Sequence, residues 1–288
     1  MLPRIIYDIN SDALGDNIAC LPALLNHKFT GEKYVKSKYI EIFKLFGFKD
    51  PDEEKLSSYS IRIYPNNMMD NKNIFTFLHR NHLCSYAQAV LKINDLQYEL
   101  PTIPPVNKTN EILISATSYD IVRFIPPIVI DTLCREIRDL GYIPVLTGNT
   151  KNRDLFYYEH KNKYATNMIN KTNLLETLDL INRATAIITP DSGLMWLTYL
   201  TNTNLIASFF TVDPIFRFIK RKAKTTIIYP NCECRFCFSK GYIIKNMPRC
   251  QIGKNINKRW KLFKSAIWEC HRSVSYKEYI RALKEMLK

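Results

Sequence analysis

No apolar run in the 288 residues reaches the roughly 18 that a membrane-spanning helix needs. The N-terminus, Met1-Leu-Pro-Arg-Ile-Ile-Tyr-Asp, lacks the basic segment followed by an apolar stretch that marks a secretory leader. The expectation is a soluble, cytoplasmic protein with no transmembrane segment. Acidic residues are in deficit, 27 Asp and Glu against 41 Lys and Arg, a net charge of +14. That excess implies an anionic partner, whether nucleic acid, a membrane surface, lipopolysaccharide or a nucleotide sugar. The plain alternative is a general bias toward Lys, Asn and Ile. With 46% hydrophobic residues the chain carries enough apolar surface for a packed core, and its length suits one large domain or two small ones.

The most informative stretch begins at Ala184. Ala186 to Thr189 is a short apolar run, Pro190-Asp-Ser-Gly193 has turn chemistry, and Leu194, Leu197, Thr198 and Thr201 recur at helical spacing. Asn202-Thr-Asn204 closes that helix, and Leu205 to Phe210 has the length of a buried parallel strand. The unit is a βαβ whose loop lies at the carboxyl end of its first strand, where open α/β sheets bind ligands. Ser192 and Gly193 allow close backbone approach to an anion, and the Asp191 carboxylate suits sugar hydroxyls. A turn that merely caps a helix is the competing reading.

Taken in order, Arg4 to Tyr7 is a first strand, followed by Asp12-Ala-Leu-Gly-Asp16 and a helix-like Ile18 to Leu25 that includes Pro22. Asp16 lies where a helix would start and has an N-cap as its plain alternative role. Tyr39 to Phe46 suits a helix ending at Gly47, and Tyr59 to Tyr64 alternates as a strand does. His79 and His82 precede a helix-like Tyr86 to Leu91, where a structural or acceptor-side role is favoured over catalysis. Leu100 to Asn110 is Pro-rich and polar and reads as an interdomain linker, placing an N-terminal domain at 1–108 and a C-terminal domain at 109–288. Glu111 to Ala116, Ile130 to Leu140 and Ile143 to Thr147, ending at Gly148, repeat the βα grammar of a Rossmann-like domain. Ser275-Tyr-Lys-Glu278 is a capping box opening a final helix.

Five of the eight cysteines cluster between Cys232 and Cys270. A Cys-x-x-Cys at Cys234 and Cys237 with further thiols in the same lobe, 230–272, is metal-ligand grammar rather than disulfide grammar in a chain without a leader. Tetrathiolate geometry admits zinc or iron, and the spacing does not choose between them. The lobe is also basic, with Phe236, Phe238, Trp260 and Phe263 among its cations, a composition that suits a phosphate backbone.

The segment Asp191-Ser-Gly193, with Phe209-Phe-Thr-Val-Asp213-Pro214 after the next strand, resembles the nucleotide-sugar signature of the heptosyltransferase-like glycosyltransferases. Trp196, standing where most of that family has His, together with the Asp12-Ala-Leu-Gly-Asp16 wording, is similar to the iron-containing autotransporter heptosyltransferases. The resemblance implies a GT-B fold of two Rossmann-like domains, the N-terminal one reduced. It implies donor-binding roles for Thr117, Ser118, Arg123, Gly148, Asp191, Ser192, Gly193 and Trp196, and Asp16 as the base that deprotonates the acceptor hydroxyl. It also implies structural iron, with zinc the alternative, held by Cys234, Cys237, Cys250 and Cys270, and no catalytic metal. The expected activity is inverting transfer of a heptose-like sugar from a nucleotide diphosphate to a protein hydroxyl, in a possible homo-oligomer. Two rivals remain at this stage: a transferase acting on modified DNA or another polyanion, and a non-catalytic nucleic-acid-binding protein on a transferase fold.

Overall fold

The computed structural model describes residues 3–53, 60–64, 82–93, 98–115, 118, 123–149, 162–233, 235–237, 239 and 269–288. Within these residues the chain forms two parallel sheets. The N-terminal sheet has the order β2–β1–β3, with β1 at Arg4–Ile9, β2 at Glu32–Lys36 and β3 at Ser60–Tyr64. Tyr7 and Ile9 are buried on this sheet's central strand, which leads into helix α1, Leu14–Asn26. The helix between Tyr39 and Phe46 is a single turn, α2 at Ile40–Lys44, and the chain leaves it through Gly47 at φ +84°.

The C-terminal sheet has the order β6–β5–β4–β7–β8–β9. Its strands are β4 at Glu111–Ile114, β5 at Ile143–Leu146, β6 at Thr166–Asn167, β7 at Ala186–Pro190, β8 at Asn204–Ser208 and β9 at Thr225–Ile228. The chain builds outward from β4 in one direction and then restarts at β7 in the other. The switch point between β4 and β7 is where such sheets hold ligands.

Alternation along these strands divides the core in two. Ile112, Ile114, Leu146, Ile188 and Ile206 pack with α4, Pro127–Asp139, and α8, Tyr276–Leu287. Leu113, Val145, Ile187, Leu205 and Ala207 face the other way, toward α5 at Leu174–Arg183 and α6 at Gly193–Thr198. This second core does not stop at the domain boundary. It continues through Trp196 into Ile18 and Leu21 of α1 and on to Tyr7 of the N-terminal sheet.

The capping chemistry follows the sequence. Asn173 and Glu176 exchange side-chain and backbone hydrogen bonds at the start of α5, and Glu278 accepts the Ser275 N–H at 2.7 Å at the start of α8. The stretch expected to be a linker is hydrogen-bonded to the C-terminal unit. Ile103 N–H donates to Leu200 O at 2.8 Å, Asn182 Nδ2 to Pro104 O at 2.9 Å and Thr109 N–H to Arg183 O at 2.8 Å. Its prolines lack N–H donors, so the strap makes no strand of its own and binds through isolated carbonyls and amides. Two short helices complete the described chain, α3 at Ser85–Val90 and α7 at Glu269–Arg272.

The two units pack closely helix start against helix start. A Cβ placed on Gly15 would lie 2.8 Å from Trp196 Cδ1, and one placed on Gly193 would lie 2.9 Å from Leu14 Cβ. Each helix thus presents a glycine to the other's bulky side chain. Trp196 is 2% exposed and fully packed, so it has little room to retreat. Gly15→Ala and Gly193→Ala are each expected to destabilise by about 1–3 kcal/mol through overpacking, measured by denaturant melts. A melt unchanged for both would show that the joint is looser than described.

Candidate functional site

The loops after β4 and β7 are bonded to each other across the switch point. Asp191, 3% exposed, continues the sheet ladder through its N–H to Ser208 O at 3.0 Å. Arg123 Nη1 donates to Asp191 Oδ2 at 3.2 Å and to Asp191 O at 3.3 Å, and Ser118 Oγ donates to the same carbonyl at 3.1 Å. Sequence reasoning gave Asp191 to sugar hydroxyls and Arg123 to the diphosphate. The structure pairs the two with each other, so that a buried carboxylate faces a largely buried guanidinium. Gly148 turns the chain out of β5 at φ +141°, a conformation that disfavours any side chain, and its carbonyl accepts the Asn170 N–H at 2.9 Å. Thr117 lies outside the described residues.

Ser192 stands at the N-cap of α6, but its hydroxyl meets Thr189 Oγ1 at 3.1 Å instead of capping the helix. That helix has six residues, so few peptide dipoles add at its start. The expected anion contact at Ser192 and Gly193 therefore rests on local N–H groups, not on a helix field. Trp196 is turned toward Gly15 and meets Tyr199 edge-on, with ring centroids 5.5 Å apart. It sits in the joint between the units.

Asp16 is the third residue of α1. Ala13 holds the cap position, so Asp16 is not the N-cap. Ser11 Oγ donates to Asp16 Oδ2 at 2.9 Å and accepts the Ala13 N–H at 3.2 Å, which orients the carboxylate at the half-buried start of the helix. Helix packing brings that start against the start of α6, so the Asp16 loop of one unit and the Asp191 loop of the other converge.

One functional candidate was not singled out from the sequence. Arg217 is 5% exposed, its Nη1 donating to Phe216 O at 2.9 Å. Burial pulls its guanidinium below the ordinary value; Asp191 opposes that, Arg123 adds to it, and Asp16 opposes it further. A buried cation thus lies in the field of both candidate carboxylates, one from each unit. In the sequence it is only the first member of a basic run, though its place just after Asp213-Pro214 was the available signal. Its segment is held to the N-terminal side by Leu83 N–H on Phe216 O at 3.0 Å and by His82 Nε2, 3.0 Å from Phe218 O.

Cys237 and Cys270 are both buried in the core behind β8, with Cys232 packed against the same cluster. His271, 2% exposed, meets Phe210 with ring centroids 4.9 Å apart. Cys234, Cys250 and most of the lobe at 230–272 lie outside the described residues, as does His79. Among the described residues no group of three or more His, Cys, Asp or Glu is placed to hold a metal. No helix among them is long and apolar enough to cross a membrane.

Comparison with known proteins bears out the resemblance read from the residues. Residues 129–247 match the model of glycosyltransferase family 9 (heptosyltransferase), a span that contains Asp191-Ser-Gly193 and the turn at Asp213. Lipooligosaccharide heptosyltransferase 2 of Haemophilus influenzae is 35% identical over 80 residues, which are 26% of this chain and 23% of that relative. The chain therefore aligns with about a quarter of that curated relative's length. In fold, it is similar to the iron-containing dodecameric glycosyltransferase TibC from enterotoxigenic E. coli, with a TM-score of 0.68 and 17% identity over 99% of this chain and 76% of that one. It is also similar to the ADP-heptose LPS heptosyltransferase II of E. coli, with a TM-score of 0.59 and 12% identity over 99% and 98% of the two chains. The α/β fold with parallel sheets is thus GT-B-like.

His82 provides a ligand-independent check on the cross-unit contacts. Its Nδ1 accepts the Cys84 N–H at 3.3 Å, which assigns the proton to the Nε2 that faces Phe218 O. Burial, with Arg217 nearby, lowers its affinity for a proton. The unfolded chain then binds the proton more readily, so stability present above the unfolded value near 6.5 is lost as pH falls through the lowered folded value. The melting temperature should drop below pH 6.5 in the wild type, and His82→Gln should flatten that slope. An equal slope in both would remove His82 from the joint.

Proposed function

We propose that the chain is a glycosyltransferase that moves a heptose-like sugar from a nucleoside-diphosphate donor to a hydroxyl of a protein acceptor with inversion. The observation that carries this reading is the convergence of the Asp16 loop and the Asp191 loop at one joint, within a chain whose Asp191 segment matches the heptosyltransferase model. The similar structures include an ADP-heptose enzyme and an iron-containing assembly, which is the ground for the sugar and the metal.

In this reading the Asp16 carboxylate, oriented by Ser11, takes the proton of the acceptor hydroxyl as its oxygen attacks the anomeric carbon. The bond to the diphosphate breaks on the opposite face, and the leaving anion gains its charge near the Arg123 and Arg217 guanidinium groups. Asp191 acts by holding Arg123 in place. Cys234, Cys237, Cys250 and Cys270 would hold structural iron or zinc. The thiols are the donor type that a soft metal takes, and the two described ones, Cys237 and Cys270, are both buried. Four thiolates leave no open position, so the metal would tie the lobe to the C-terminal helices without entering the chemistry. Cytoplasmic location and homo-oligomerisation belong to the same proposal.

The net charge of +14 favours a second acceptor class, modified DNA or another polyanion. Both readings meet in one experiment. The protein is incubated with a panel of nucleotide sugars, a protein acceptor and a duplex DNA, and nucleoside-diphosphate release is followed together with acceptor mass. Mass gain on the protein acceptor from ADP-heptose is the expected result, and gain on DNA would select the second reading. Asp16→Asn should lower turnover by roughly 100-fold or more; full activity in that variant would remove Asp16 as the base.

A further inference from the structure

Three apolar runs of the C-terminal sheet end in a hydroxyl: Ile112-Leu-Ile-Ser115, Pro144-Val-Leu-Thr147 and Ile187-Ile-Thr189. Ile114 pairs with Leu146 on one side and with Ile188 on the other. One step further along, Ser115 N–H donates to Ile188 O at 2.8 Å and Thr147 N–H donates to Ile114 O at 3.0 Å, so both ladders continue past the strand ends. Ser115 therefore stands level with Thr147 and Thr189, and the three form a row across β5, β4 and β7. Alternation from Leu113, Val145 and Ile187 places the row on the face that looks toward the N-terminal unit. It crosses the carboxyl edge of the sheet at its switch point.

All three side chains are at most 1% exposed. Thr189 Oγ1 reaches Ser192 Oγ and Pro190 O. Ser115 Oγ and Thr147 Oγ1 have no hydrogen-bond partner among the described residues. A buried hydroxyl without a partner forfeits its hydration, and two such groups side by side at a ligand-binding edge are a standing expense of the unliganded fold. Alanine at the first position and valine at the second would fill the same space without that loss. We propose that Ser115 and Thr147 are donor-site residues whose hydroxyls bond the phosphate oxygens of a nucleoside diphosphate, in a row completed by Thr189 and leading to Ser192. This rests on the transferase reading and adds two residues to its donor site. Each hydroxyl donates one proton to a phosphate oxygen, a charge-assisted bond that satisfies the group only when ligand is present.

The test crosses hydroxyl loss with packing loss at one position. Thr147→Val keeps the shape and removes the hydroxyl, Thr147→Ser keeps the hydroxyl and removes a methyl, and Ser115→Ala is the companion. Affinities for ADP, GDP, UDP and inorganic pyrophosphate are measured by calorimetry on the full chain, and melting temperatures are taken without ligand. Thr147→Val and Ser115→Ala should each weaken nucleoside-diphosphate and pyrophosphate binding roughly tenfold or more, with melting unchanged or raised. Thr147→Ser should bind as the wild type does while melting lower. Wild-type affinity in the Val and Ala variants would overturn the proposal and leave the transferase reading standing. A loss seen for ADP but not for pyrophosphate would overturn the phosphate assignment. A wild type that binds none of the four would overturn both.

Discussion

The placement of the two candidate loops depends on two helix starts meeting at glycines. Gly15 leaves space for the Trp196 indole, and Gly193 leaves space for Leu14. Either contact with a larger residue in the glycine's place would push α1 and α6 apart by overpacking. Their loops carry Asp16 and Asp191, so the separation of those carboxylates is set by side-chain packing some residues away from them. One hydrophobic core runs from Tyr7 through Leu21 and Trp196 to Ile187, and the segment at 100–110 is hydrogen-bonded down instead of free.

On this packed joint the fold carries groups that its own stability does not favour. Arg217 is a buried guanidinium, the Arg123–Asp191 pair is largely withdrawn from solvent, and two hydroxyls on the sheet edge lack partners. Desolvation of such groups opposes folding unless charges or ligands compensate. These groups lie at the carboxyl ends of the strands or on the segments just after them, while other buried polar atoms without a partner, at Asn182, Arg221 and Tyr279, lie elsewhere among the described residues.

Much of this was legible in the chain. The run from Ala186 to Phe210 gave its strand, turn, helix and strand in order, because the apolar period changes from continuous to helical and back. The capping box read at Ser275 sits where the structure has a helix start. The contacts of the strap at 100–110 were not legible, because proline content reports the absence of regular structure and says nothing of contacts. The pairing of Arg123 with Asp191 and the burial of Arg217 depend on loops 68 or more residues apart in sequence, or on opposite units, and no local pattern encodes them. The hydroxyl row was visible as three apolar runs with the same ending, but its meaning required the register of the strands. The cysteine grammar remains a reading of sequence, with Cys237 and Cys270 brought into one cluster.

The central claim is that the two sheets behave as one body through the α1–α6 joint. Native-state hydrogen exchange tests it most directly, because it reports the opening free energy of each amide separately. The account predicts that amides of α1 and α6 are protected to the same degree, rise and fall together with added denaturant, and open only in the global unfolding event. Amides of α1 and the N-terminal sheet exchanging well before those of α6 would contradict it, and would show two units that touch without sharing a core.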